Sequence, residues 1–117
     1  MSFSERRDGA MAVSVTYHPR LYLGESINER KLDKIKRKLE NKPLLSGVVL
    51  IAISRNASDQ LEIYEARQLF QSYYQKNPPY VVGIAGSREE AVDMVERLAK
   101  ECVEKRGDCA LKEYLLC

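Results

Sequence analysis

A chain of 117 residues with 44% hydrophobic content is one domain's worth, burying roughly two thirds of its unfolded surface around a single core without help from metals or disulfides. Its net charge of +2 is too small to imply a polyanionic partner, no apolar run approaches the about 20 residues that span a bilayer, and no signal-peptide pattern opens the chain. The three cysteines, Cys102, Cys109 and Cys117, fall in the last sixteen residues; an odd number without an export signal argues for reduced thiols and a cytoplasmic location.

Residues 1–10, MSFSERRDGA, are polar, of mixed charge and aperiodic, and read as a flexible tail before a single α/β domain over 11–117. From Val13 the apolar residues alternate, with Val13, Val15, Tyr17, Leu21 and Leu23 on one face and Ser14, Thr16, His18, Arg20 and Tyr22 on the other. That period predicts a half-buried strand, and Pro19 inside it predicts either an edge strand with a bulge, the preferred reading, or two short strands joined by His18-Pro19-Arg20.

Ser26-Ile27-Asn28-Glu29 fits a capping box at the start of a helix, and Leu32, Ile35 and Leu39 give that helix one apolar stripe. Over 28–42 seven basic residues stand against three acidic ones, a net +4, but no aromatic residue interleaves with them. The reading is therefore a solvated face, and it is against nucleic acid as a partner. Asn41-Lys42-Pro43 ends the helix. Gly47 then introduces VVLIAI, Val48 to Ile53, whose β-branched, doubly apolar character predicts a central parallel strand.

The stretch from Ser54 to Ser58 reads as a turn with Asn56 or Ser58 as N-cap. Leu61, Ile63, Ala66, Leu69, Phe70 and Tyr73 then predict a second helix, stopped by Asn77-Pro78-Pro79. Tyr80 to Ala85 predicts a third strand. Ser87 and Glu90 form another capping box, Ala91, Val95, Leu98, Ala99, Cys102 and Val103 a long helical stripe, and Gly107 its C-terminal stop. Glu96 with Lys100 and Glu101 with Lys105 have favourable i,i+4 spacing. Asp108 caps a last short helix through Leu111, Tyr114 and Leu115. The sum is a βαβαβα domain of two or three layers with a mainly parallel sheet of three or four strands. So few strands leave open edges near the centre, which a twofold dimer would cover.

In such a sheet ligands bind beyond the carboxyl ends of the strands. The polar turns there carry Gly24, Glu25 and Ser26, then Arg55 and Ser58, then Gly86, Ser87 and Arg88. Free amides at helix starts with two arginines could hold a small anionic or phosphorylated ligand. Against this, the turn around Gly83 and Gly86 lacks the spacing of a dinucleotide or P-loop motif, Ser87 is already occupied as a cap, and Glu90 would repel a phosphate. Gly83 is better explained by close packing of a helix.

The cysteine spacing fits no metal or redox motif, and His18 has no partner at ligand spacing. Cys102 reads as an inert core thiol. With no nucleophile elbow, and with Glu25 as a lone carboxylate, the sequence gives no positive sign of catalysis, cofactor or metal. Phe70, Tyr73, Tyr74 and Tyr80 cluster around the Pro-Pro turn, and tyrosine is enriched at interfaces. The leading expectation is an interaction domain, a homodimer or the docking site of another protein, with the anion site second.

Overall fold

The computed structural model describes residues 15–41, 47–56 and 58–116. The tail over 1–10, Val13, the Lys42-Pro43 stop and Cys117 lie outside them. The described elements are β1 (Thr16–Leu23), α1 (Glu29–Asn41), β2 (Val49–Ile53), β3 (Leu61–Glu65), a 3-10 segment (Ala66–Phe70), α2 (Ser72–Lys76), β4 (Tyr80–Ala85), α3 (Arg88–Arg106) and α4 (Leu111–Leu116). Four strands form one sheet in the order β1-β4-β2-β3.

The sheet is mixed, which corrects the mainly parallel arrangement expected from sequence. β1 and β4 run parallel, but β2 is antiparallel to both β3 and β4. The cause lies between Ser54 and Gln60. Asn56 Oδ1 accepts from the Ser58 amide at 3.0 Å and hydroxyl at 2.9 Å, and Ser54 Oγ accepts from the Asn56 amide at 3.0 Å. These side-chain turns reverse the chain into a hairpin where the same residues were read as a helix cap. Residues 61–65 then extend as β3, and of the expected second helix only the 3-10 segment and the five residues of α2 remain helical.

β1 lies at the sheet edge. Its register with β4 slips between Tyr17 and Tyr22, placing a bulge around Pro19, which has no amide to donate. β2 is buried on both faces. Leu50 and Ala52 meet Ile35 and Leu39 of α1 together with Val81, Ile84 and Leu69. Val49 and Ile51 meet Met94, Leu98 and Cys102 of α3 and Leu111 and Leu115 of α4. The helices thus cover both faces of the sheet in three layers. Full burial of each such aliphatic side chain contributes about 1.5–3 kcal/mol.

Local signals set most other boundaries. Gly107 closes α3 at φ 89°, a left-handed position that suits glycine. Ser87 caps α3 by accepting from the Glu90 amide at 3.1 Å. On α3, Met94 takes a core position that the sequence stripe omitted, whereas Val103 is 45% exposed. A Cβ on Gly83 would stand 3.1 Å from Ile51 Cδ1 and 3.2 Å from Met94 Cε, so that glycine admits the close approach of α3 to the sheet. The cap of α1 is Asn28, whose Oδ1 accepts from the Lys31 amide at 2.8 Å, and not Ser26, whose groups are engaged elsewhere.

The outer edge of β3 is blunted. Bonds from the Ala66 amide to Val48 O and from the Ser54 amide to Gln60 O fix the even-numbered residues of β3 as those paired to β2. Leu61, Ile63 and Glu65 therefore turn their backbone groups outward. Arg88 Nη2 donates to Ile63 O at 3.4 Å, and the Glu65 amide donates to Gln68 Oε1 at 3.0 Å. Side chains thus occupy groups that another strand would need.

Candidate functional site

Because β1 and β4 are parallel neighbours, their carboxyl ends bring Gly24, Glu25 and Ser26 beside Gly86 and Ser87. The centre of this rim is a side chain of the protein itself. Glu90 Oε1 accepts from the Gly86 amide at 2.7 Å and the Ser26 hydroxyl at 2.8 Å, and Oε2 accepts from the Ser26 amide at 3.2 Å. The Gly86 amide, and after it the Ser26 hydroxyl and amide, hold the Glu90 carboxyl below the usual carboxylate range. A Cβ on Gly24 would collide with the Glu90 carboxylate, and one on Gly86 with Ser26 Oγ. The donors that could cradle a phosphate are thus filled by a carboxylate, and both glycines make room for it. A shallow depression beside it is lined by Glu25, Glu89, Glu90, Asp93, Ser87 and Arg97, so negative charge dominates there.

The eight residues read as an anion site separate into two groups. Arg55 and Ser58 sit in the β2–β3 turn at the opposite end of the sheet, because β2 runs against β4. Arg55 Nη2 donates to Pro78 O at 2.5 Å. Arg88 shares the first rim but directs its guanidinium to Ile63 O.

The tyrosines also divide. Tyr73 is 53% exposed and meets Tyr74 edge-on, with ring centroids 5.0 Å apart. Tyr74 in turn stacks on Tyr64 at 5.1 Å. These three rings line a cleft with Arg55, Glu62 and Asn77. Tyr64 is only 5% exposed, its hydroxyl has no hydrogen-bond partner, and burial pushes its acidity well below that of a free tyrosine. Tyr80 lies apart and stacks on His18 at 6.1 Å. The side chain of Phe70 is outside the described part.

His18 is buried, and both ring nitrogens are engaged: Nδ1 accepts from the Arg20 amide at 3.0 Å. That bond makes Nε2 the protonated nitrogen, which donates to Leu115 O at 2.8 Å. The ring pins α4 to the edge strand. Cys102 is fully buried, and burial pushes its thiol up, whereas Cys109 is exposed. Among the described residues no group of three or more His, Cys, Asp or Glu is arranged to hold a metal ion, and no helix is long and apolar enough to cross a membrane. On α1, Lys36 lies over the Tyr17 ring at 4.7 Å, so part of its basic face packs against an aromatic ring.

Sequence reasoning missed a polar cluster between β1 and α3. Glu101 Oε2 accepts from the Tyr22 hydroxyl at 2.9 Å and the Tyr114 hydroxyl at 2.5 Å. Tyr22 is pushed up to about 12, first by burial and then by its bond to Glu101. The same two hydroxyls, Tyr114 before Tyr22, hold the Glu101 carboxyl below its usual range. A groove of about 190 Å³ beside the cluster is lined by Tyr22, Leu23, Met94, Arg97, Leu98 and Glu101. Read alone, Glu101 suggested only an ion pair with Lys105, and the alternation of β1 put Tyr22 on its wetter face. No local signal joins residues 79 apart. No family model, curated protein or solved structure matches this chain.

Proposed function

We propose that this domain works by self-association, forming a twofold dimer through the face that carries Tyr73 and Tyr74. One observation supports it above the others: an edge-packed aromatic pair, Tyr73 exposed and Tyr74 partly buried, shares its cleft with Arg55 and Glu62, two charges of opposite sign. A twofold interface requires a self-complementary patch. Here the rings supply a central apolar anchor, and each arginine can face the glutamate of a second copy. The blunted edges of β1 and β3 favour a side-chain interface over strand-to-strand pairing.

Sedimentation velocity tests the reading. The unmodified chain is expected to sediment as a dimer, Tyr73→Ser as a monomer. Arg55→Glu and Glu62→Arg each weaken association, and the double swap restores it. A chain that stays monomeric at high concentration overturns the proposal.

A further inference from the structure

On α3, Arg97 and Glu101 are one helical turn apart, opposite in charge and within reach of each other, yet they are not paired. Glu101 gives Oε2 to the hydroxyls of Tyr22 and Tyr114, which fixes the carboxylate and leaves Oε1 without a hydrogen bond among the described residues, while Lys105 and Arg20 add positive charge around it. Arg97 has no ion-pair partner among the described residues, and it is the one cation lining either the groove or the neighbouring acidic depression. Beside these two charges the groove is lined by the Tyr22 ring and by the nearly buried Met94 and Leu98. Its volume of about 190 Å³ is slightly more than the roughly 150 Å³ that accommodates a benzene ring.

We propose that this groove binds a free α-amino acid with an apolar side chain, its carboxylate on Arg97, its ammonium on Glu101 Oε1 and its side chain against Tyr22, Met94 and Leu98. The charges select the class. Two opposite charges one turn apart match a ligand that carries both on a single carbon, which a free amino acid does and a peptide terminus does not. A strand docking along β1 is disfavoured, because the bulge at Pro19 leaves only a short outward-facing edge. The site lies on the α3 side of the sheet, with Met94 and Leu98, whereas Tyr64 and Tyr74 belong to the opposite face. It stands or falls separately from the proposed dimer.

Calorimetric titration of the full chain tests the proposal, using L-phenylalanine and L-leucine as probes, with L-phenylalaninamide and N-acetyl-L-phenylalanine as mimics of the two peptide ends. Both free amino acids are expected to bind, and each blocked form to bind at least tenfold more weakly. Arg97→Gln should weaken L-phenylalanine about tenfold. Glu101→Gln, which removes the anion but keeps an amide oxygen to accept from Tyr22 and Tyr114, should weaken it likewise while circular dichroism stays native. No heat from either amino acid at millimolar concentration overturns the site. Equal binding of the blocked forms overturns the assignment to a free amino acid, and unchanged affinity in Arg97→Gln overturns the role of the arginine.

Discussion

Glu90 and Ser26 are 64 residues apart, yet the glutamate takes both the serine hydroxyl, at 2.8 Å, and its amide, at 3.2 Å. With the Gly86 amide at 2.7 Å, this contact clasps the loop after β1 to the start of α3. The donors at that rim serve the fold.

Removing the carboxylate should therefore lower stability. Glu90→Ala leaves the Gly86 amide and two Ser26 donors to water at a partly exposed rim, a loss of about 1–2 kcal/mol. Gly24→Ala should cost a similar amount, because its methyl would displace the same carboxylate. The two losses share one cause, so they should not add: in an Glu90→Ala background, Gly24→Ala becomes nearly neutral. Urea denaturation of the four proteins in this cycle measures the coupling. Additive losses would show that Gly24 acts through something other than Glu90.

The clasp should also carry an acid dependence. Glu90 is held below the usual carboxylate range in the fold, so the unfolded chain binds the proton first as pH falls. Its contribution is fully present above the unfolded value near 4.5 and declines as pH drops through the lower folded value. Glu90→Gln should show a shallower loss of stability than the unmodified chain below about pH 4.5, read by urea midpoints at stepped pH. Parallel curves would contradict the assignment.

What the sequence made legible was local. Tyr80 to Ala85, the Ser87 cap and the Gly107 stop each announce themselves within a few residues, and β4 and α3 are found where those signals place them. The edge position of β1 followed from Pro19. Residues 61–76 failed because two periods overlap: Leu61 and Ile63 alternate with Glu62 and Tyr64 as in a strand, while Leu61, Ala66, Leu69 and Tyr73 also fit a helical face. Asn56 and Ser58 suited a cap and a side-chain turn equally well. The direction of β2 hung on that choice, and with it the belief that all polar turns share one rim. The contacts of Glu90 and Glu101 were out of reach because their partners lie in β1 and the loop after it, which only the closed sheet brings near.

His18 should matter for α4 and for nothing chemical. Its Nε2 bond to Leu115 O is a direct tie between the edge strand and the last helix, and its burial adds apolar contact. His18→Ala is expected to cost about 2–3 kcal/mol, with amide exchange at Leu111 to Leu116 accelerating more than exchange in β4. Uniform acceleration across the chain would mean that the ring supports the whole core and not α4 in particular.

Thiol chemistry should separate the cysteines. In a Cys117→Ser background, Cys109, exposed after Gly107, should react rapidly with an aromatic disulfide reagent in the folded protein. Cys102, fully buried under α4, should react only on unfolding. One rapid equivalent followed by one whose rate tracks denaturant is the expected trace. Two rapid equivalents would show that α4 opens readily.

The Tyr22 and Glu101 pair makes an alkaline counterpart to the Glu90 clasp. Tyr22 is raised to about 12 from 10.0, so above pH 10 the unfolded chain loses its phenolic proton while the folded one still holds it. More protons bound in the folded state means that stability falls as pH rises. The contribution is complete below about 10 and gone above about 12. Tyr22→Phe removes this titration and the bond to Glu101 together, so it should lower stability at pH 7 by about 1 kcal/mol and flatten the decline between pH 10 and 12. Tyr64, Tyr74 and Tyr114, which are also raised, and the raised Cys102 thiol contribute to the remaining slope. Difference absorbance of the phenolate band, followed alongside urea midpoints, checks both arms. If Tyr22→Phe loses stability as steeply as the unmodified chain over that interval, the hydroxyl is not shielded in the way its bond to Glu101 requires.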